Sequence, residues 1–276
     1  MKLYYGVECN FSNSVYKFQG GFDFTLDKQT TSVRDLGFAD IHCHMMAGID
    51  DGAQTLREMT DMAELASSEG FDIVCFTPHA GVYGEDTDPE RLKEAFAKAV
   101  VHLKSNFPRM RFYLGSEIYY SCDIPEKLEK GKYLPLNGGR YVLVEFSPGA
   151  DLFNIKSGVK FITMAGYKPV LAHIERYKAI YDDLDAIRAL RKMGAVIQVN
   201  SRHVMRRDLF GKSKCRKLLR ERLVDVIATD CHNTAARNPQ MRACYEYVSD
   251  SFGQKYADTL MKINPRLILA NKKIVR

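Results

Sequence analysis

The sequence predicts an α/β protein built on a parallel sheet, open or closed into a barrel. Short apolar runs alternate with longer amphipathic stretches about seven times, the pattern of successive βα units. The cores of the short runs, such as DIVCF, YVLVEF and AVIQV, are continuous and β-branched, as in strands buried on both faces. A chain of 276 residues with 46% hydrophobic content can bury one full core of the size α/β barrels use.

The strand-like runs are 38–44, 72–79, 111–119, 141–147, 168–175, 195–201 and 224–232. Helices are predicted between them. Residues 55–68 place Leu56, Met59, Met62, Ala63 and Ala66 on one stripe, and 89–106 opens on Pro89, which suits a first helical turn. Residues 182–193 close on Gly194 as a C-cap, and 212–222 and 239–251 complete the set. No linker or internal repeat divides residues 39–276, which read as one catalytic domain. Residues 1–38 differ: apolar and polar residues alternate from Val15 to Leu26 around Gly20-Gly21, a two-residue turn signal. This extension reads either as a β-hairpin on the barrel or on a neighbouring subunit of a homo-oligomer, or as a poorly ordered extension. No chemistry attaches to it.

Composition removes several classes. A net charge of +6 is too small to argue for nucleic acid, and no run approaches the ~18 apolar residues that span a bilayer. The seven cysteines are odd in number and lack a C-x-x-C pair, which indicates neither a disulfide framework nor a zinc finger. Reduced thiols, with no signal-peptide pattern at the N-terminus, fit a cytoplasmic protein.

The informative residues sit where the apolar runs stop. The first ends in Asp40-Ile41-His42-Cys43-His44, with Asp50-Asp51-Gly52 soon after, and the second in Thr77-Pro78-His79. Glu117, Glu145, His173, Asp230 and His232 close later runs. In a β/α barrel such positions converge on one mouth, where active sites lie. Side chains alternate along a strand, so His-x-His puts both imidazoles on one face, and Asp-x-His at 230–232 repeats the geometry. Imidazoles mixed with carboxylates suit divalent Mn, Fe or Zn. Asp51, Glu117, Glu145 and Asp230 carry too much negative charge for one pocket unless cations join them. Two divalent ions cancel that charge, and three leave a positive site for an anionic substrate. Nine ligands also exceed what one ion takes.

Singly, each residue has a plainer reading: His79 or His173 as a satisfied core histidine, Glu117 or Glu145 as a buried ion-pair partner. Their recurrence at strand after strand favours metal. His102 and His203 read as surface residues. Arg176 and Arg237 are the candidates to clamp phosphate oxygens, against the alternative of ordinary surface arginines.

With these residues together, the chain resembles the polymerase-and-histidinol-phosphatase (PHP) superfamily, and within it the metal-dependent protein-tyrosine phosphatases of bacterial capsule and exopolysaccharide loci. The motifs are DIHCHMMAGIDDG, TPHA, GSEIYY, LVEFS, LAHIERY, QVNSRHV, LFG and ATDCHN, then Arg237 and NPR at 264–266. The resemblance implies a distorted (β/α)7 TIM-like barrel with a trinuclear, usually manganese-activated centre. It implies one ion on His42, His44, Glu117 and Asp230, a second on Glu117, Glu145 and His173, and a third on Asp51, His79 and His232. Arg176 and Arg237 would contact the phosphate, with Arg176 aiding the leaving group. The reaction implied is phosphomonoester hydrolysis by metal-activated hydroxide, without a covalent enzyme intermediate. A phenolate leaving group, with a pKa near 10, asks less of a general acid than an alkoxide. The implied partner is a phosphotyrosine-bearing protein, a tyrosine autokinase whose C-terminal tail regulates polysaccharide export. The basic stretch 201–222 reads as a docking surface for that acidic tail or as a solvated helix face.

Three other readings compete. Cys231 and Arg237 fit C-x5-R, the bare signature of cysteine-dependent tyrosine phosphatases, but the segment lacks the glycines with which backbone wraps phosphate. The same metal site would also serve histidinol phosphate, nucleotide phosphate or exonuclease chemistry. A catalytically silent regulatory protein is the third.

Overall fold

The computed structural model describes residues 33–81, 88–180, 182–206 and 214–276. The hairpin expected around Gly20-Gly21, the LFG motif and the middle of the basic stretch lie outside the described residues. Among the described residues nine parallel strand segments alternate with helices: β1 (Phe38–Cys43), β2 (Phe71–Phe76), β3 (His79–Ala80), β4 (Arg111–Leu114), β5 (Glu117–Tyr119), β6 (Tyr141–Glu145), β7 (Lys168–Leu171), β8 (Val196–Asn200) and β9 (Val226–Ala228). Their order is β1-β2-β4 in one sheet and β3-β5-β6-β7-β8-β9 in the other. Thr77-Pro78 interrupts the second predicted strand and Gly115-Ser116 the third, so β2 with β3, and β4 with β5, each run as one broken strand.

The outer edges also meet. Cys43 pairs with Cys231 in a parallel bridge, the His44 N–H donates to the Cys231 carbonyl (2.9 Å), and the Asp230 N–H donates to that of His42 (2.8 Å). Seven strand positions therefore follow one another around a ring, as the family resemblance implies.

Between the strands run α1 (Leu56–Glu69), α2 (Pro89–Asn106), α3 (Ile124–Glu129), α4 (Leu152–Met164), α5 (Leu184–Lys192), α6 (Ser201–Met205), α7 (Lys214–Arg220), α8 (Arg242–Phe252), α9 (Gln254–Asp258) and, after a π turn, α10 (Asn264–Leu269). Helix α1 starts where predicted because Thr55 caps it, its hydroxyl accepting from the Glu58 N–H. Its stripe buries Met59, Met62, Ala63 and Ala66, but Leu56 in the first turn is exposed. Helix α4 is not announced by the sequence, since FNIKSGVKFITM mixes β-branched residues with a glycine. Asp151 caps it, and Gly158 is required by contact: a Cβ there would lie 2.6 Å from Tyr120 and 2.7 Å from Phe146.

Apolar packing forms two layers. Val74, Phe76, Val142, Val144, Ile197 and Ile227 pack under the helices. Ile73, Cys75, Leu143, Val170, Val196 and Val226 fill the ring interior, closed at the N-terminal ends of the strands by Ile268 and Leu269 of α10. Among the described residues no helix is long and apolar enough to cross a membrane.

Candidate metal centre

A β-bulge aims the first two histidines. Asp40 pairs with Val74, but Cys43 pairs with Phe76, so Ile41 and His42 oppose one residue of β2. In regular register His42 would face the helices beside Phe76; the extra residue swings it inward, and His44 follows two residues on. Asp40 holds the bulge: one carboxylate oxygen accepts from the His42 and Thr229 N–H groups, and the other from the Thr229 hydroxyl. Burial pushes the Asp40 carboxyl up to about 6 against those hydrogen bonds. Behind His44, Gly52 of the DDG turn lies so close that a Cβ would come within 1.8 Å of the His44 carbonyl oxygen.

The structure brings all nine predicted ligands to the mouth. Glu117, at the start of β5 and 1% exposed, lies at the centre. Its Oε2 stands 3.1 Å from Nε2 of both His42 and His44 and 3.3 Å from Nδ1 of His79. Its Oε1 stands 2.8 Å from Nε2 of His173, which also lies 3.5 Å from Glu145. Asp230, at φ 53°, places Oδ1 3.4 and 3.6 Å from the imidazoles of His42 and His44. Asp51 reaches His79 (3.4 Å) and His232 (3.2 Å). Three overlapping groups have ligand atoms within 4.8 Å of one another: His42, His44, Glu117 and Asp230; His44, Asp51, His79 and His232; and His79, Glu117 and Glu145. The first matches the expected partition. The second adds His44, and the third takes His79 where the partition takes His173.

Apart from the 2.8 Å hydrogen bond between His173 and Glu117, these contacts are poor as hydrogen bonds and apt as a cation cage. Nε2 of His42, His44 and His232, and Oε2 of Glu117, are buried without a hydrogen-bond partner among the described residues. The other ring nitrogens are committed: His42 Nδ1 to Gln198 Oε1 (3.2 Å), His44 Nδ1 to Asp50 (2.7 Å) and His232 Nδ1 to the Asp230 carbonyl (3.1 Å). Such partners fix the tautomer and leave each Nε2 lone pair for a metal. The buried donor set therefore fits divalent cations.

Electrostatics agree. Burial opposes charge on His42, yet Glu117 and Asp230 outweigh it and raise its pKa; burial likewise fails to protonate Glu117, which the imidazoles hold well below the carboxylate range. Glu145 is raised, by burial and by the neighbouring Glu117 charge. The neighbouring imidazoles of His232 and His79 lower Asp51.

The HIERY segment is a short turn after β7 in which every polar side chain anchors to a neighbour. His173, left-handed at φ 32°, donates its N–H to Gln198 (2.8 Å). Glu175 accepts from the Asn200 N–H (3.1 Å) and pairs with His203 (2.6 Å). Arg176 donates to Asp230 Oδ2 (2.7 Å), and the Tyr177 hydroxyl accepts from the Phe146 N–H (3.1 Å). Arg237 donates to Asp230 Oδ1 (3.0 Å), so the two predicted arginines flank one carboxylate at the rim. His203 is thus no plain surface residue but the partner of buried Glu175, and His102 is half-buried against Thr60. Sequence reasoning passed over the supporting Asp50, Gln198, Asn200 and Glu175. Only their place beside ligands in DDG, QVN and HIERY marks them.

The C-x5-R loop cannot cradle phosphate. Its N–H groups at His232, Asn233, Ala235 and Arg237 all bond within the loop, and Cys231 is fully buried. NPR likewise lies away from the cluster: Asn264 donates to the Asp225 carbonyl, and Arg266 binds Asp72 beneath the ring.

A ring of parallel strands carrying grouped imidazoles and carboxylates at its C-terminal ends defines a metal-dependent hydrolase. More narrowly, the chain belongs to the CpsB/CapC family of capsular polysaccharide synthesis, matched over residues 38–270. It is 34% identical over 241 residues to the tyrosine-protein phosphatase CpsB of Streptococcus pneumoniae, covering 85% of this chain and 99% of that protein. It is 30% identical over 244 residues to the tyrosine-protein phosphatase YwqE of Bacillus subtilis, covering 86% and 93%. A crystal structure from work on YwqE and CpsB, described as unique metal-dependent tyrosine phosphatases, superposes with a TM-score of 0.77 at 28% identity over 86% of this chain and 96% of that one. The phosphotriesterase homology protein of Escherichia coli shares the fold alone, with a TM-score of 0.55 at 11% identity over 83% and 97%.

Proposed function

We propose that the protein is a metal-dependent tyrosine phosphatase, acting in the cytoplasm on a tyrosine autokinase that controls capsule or exopolysaccharide synthesis. The observation that carries this reading is the set of orphaned, buried ligand atoms around Glu117 and Asp230, capped by two arginines. His42, His44, Asp51, His79, Glu117, Glu145, His173, Asp230 and His232 would hold three divalent ions, manganese first, with iron or zinc as alternatives. Bound there, the ions would neutralise phosphoryl charge and make a water acidic enough to yield a nucleophile near neutral pH.

The chain's own residues do the rest. Asp50, Gln198 and the Asp230 carbonyl keep three imidazoles in the tautomer that presents Nε2. Arg176 and Arg237, each with guanidinium N–H groups beyond those engaged by Asp230, clamp the phosphoryl oxygens and stabilise charge on the departing phenolate. The hydrolysis needs no thiol, which agrees with the buried Cys231.

Metal analysis of the purified protein beside a phosphotyrosine-peptide assay, with and without chelator, tests the reading. Between two and three equivalents of metal, with turnover abolished by chelator and restored by manganese, is the expected result. Turnover of histidinol phosphate or single-stranded DNA in preference to the peptide would overturn the assignment.

A further inference from the structure

The mouth is larger than a phosphate needs. A cavity of about 960 Å³ opens above the ligands, and besides Asp51, His79, Glu117, Glu145, Arg176, Asp230 and Arg237 it is lined by Tyr119, Tyr120, Tyr133 and Lys127. The ionic groups account for a phosphoryl group; the aromatic residues are unused by the chemistry described so far.

Their placement follows from strand geometry. Tyr119 lies two residues beyond Glu117 on β5, hence on the same face and about 6.6 Å farther toward the opening. It pairs in register with Glu145 on β6. Tyr120 follows, and its orientation is fixed: its ring stacks on Phe146 with centroids 4.4 Å apart at 23°, in room that Gly158 leaves open. The buried Tyr133 hydroxyl lies 3.1 Å from Lys127 Nζ, and Lys127 in turn reaches Asp123 at 3.3 Å. Asp123 also accepts from Ser121, so that carboxylate is already engaged and offers little to a cationic amine. Around the ring, β5 stands far from β9, whose C-terminal loop carries Arg237. The cavity is therefore two-ended, with the arginines and ligand side chains on one side and the tyrosines and Lys127 on the other.

We infer that Tyr119, backed by the Tyr120–Phe146 stack, forms an aryl subsite that receives the phenyl ring of the substrate while its phosphoryl group lies among Glu117, Asp230, Arg176 and Arg237. This rests on the phosphatase reading and deepens it, because it assigns the preference for tyrosine over serine phosphate to a contact as well as to the leaving group. Aromatic pairing and ring burial are worth about tenfold in affinity. The contact exists in ground and transition states alike, so its loss raises KM and leaves kcat largely alone.

The test uses two non-hydrolysable probes, phenylphosphonate and methylphosphonate, titrated calorimetrically into the manganese-loaded protein. The wild type should bind the phenyl compound about tenfold more tightly or better. Tyr119→Leu should bring the ratio of dissociation constants close to one, and Tyr119→Phe should keep it. Equal affinity of the wild type for both probes overturns the inference without recourse to any variant, as does a ratio that Y119L leaves unmoved. Aryl selectivity with no phosphotyrosine turnover would refute the phosphatase reading and leave the subsite standing. Turnover without aryl selectivity would do the opposite.

Discussion

The two ends of the strand ring handle buried charge in opposite ways. At the N-terminal end, Asp225 is wholly buried and fully matched: Arg191 reaches it at 2.6 Å, Arg276 at 3.1 Å, and the Ile197 N–H at 3.0 Å. At the C-terminal end, Glu117 is equally buried, but no guanidinium or ammonium among the described residues touches it. Four imidazoles crowd around it, and its Oε2 has no hydrogen-bond partner. A buried charge satisfied by the chain itself is structural, whereas one left facing other lone pairs calls for something the chain does not encode. The first end is built for stability and the second for cations.

That contrast breaks most sharply at its two carboxylates. Glu117→Gln should lower kcat/KM at least about a hundredfold, and it should abolish the rise in melting temperature that metal gives the wild type. Asp225→Asn should do the reverse. Removing one partner of a buried ion pair costs about 3 kcal/mol, roughly 6–12 °C in Tm for a domain of this size, while kcat per folded molecule stays within twofold. Differential scanning calorimetry beside steady-state kinetics separates them. A Glu117 variant that unfolds while retaining turnover would erase the distinction between the ends.

Gln198 sharpens the comparison, because it is a neutral residue serving the charged end. Its Oε1 takes both His42 Nδ1 and the His173 N–H, and its Nε2 donates to Asn200, which in turn donates to Asp230. Gln198→Ala should weaken metal binding about 10- to 100-fold in a competition titration with a fluorescent chelator, with little change in the stability of the metal-free protein.

Residues such as Gln198 mark where sequence reading stops. The strand positions were legible because strands buried on both faces leave unbroken apolar runs, and the ligands because imidazole and carboxyl groups are conspicuous at the ends of those runs. The β1 bulge was not: alternation alone puts His42 and His44 on one face, but which face depends on the register with β2. Helix α4 was hidden because Gly158, which weakens the helical signal, answers to Tyr120 and Phe146 far off in sequence. His203 departs from the surface position its sequence context suggests because its partner Glu175 lies 28 residues away and meets it only through the HIERY turn.

A pH series tests the charged end from another side. In the metal-free protein the pKa values of His42, His44 and His79 are raised: burial opposes their charge but the surrounding carboxylates outweigh it. His232 alone is lowered, by burial. A raised histidine contributes stability that is complete below its unfolded value of 6.5 and is lost as pH climbs through the folded one. The metal-free protein should therefore lose stability as pH rises from about 6.5, while the stabilisation conferred by manganese should grow over the same range as metal displaces those protons. Thermal melts with chelator and with manganese check both slopes. A metal-induced shift that shrinks with rising pH would contradict the ligand assignment.

The smallest effect belongs to Cys231, at the seam that joins the two edges of the ring. Its neighbours Asp230 and His232 turn into the mouth, while Cys231 packs in the apolar layer under the helices and pairs with Cys43. Were the C-x5-R segment a phosphate loop, the thiol would be the nucleophile and Cys231→Ser would abolish turnover. The loop N–H groups of His232, Asn233, Ala235 and Arg237 are already bonded to Asn233 and to the Arg237 carbonyl, and so are not free to hold a phosphate above that sulfur. Cys231→Ser should therefore change kcat/KM by less than about twofold, since the hydroxyl acts only on packing, whereas Asp230→Asn, one residue away, should remove both bound metal and activity.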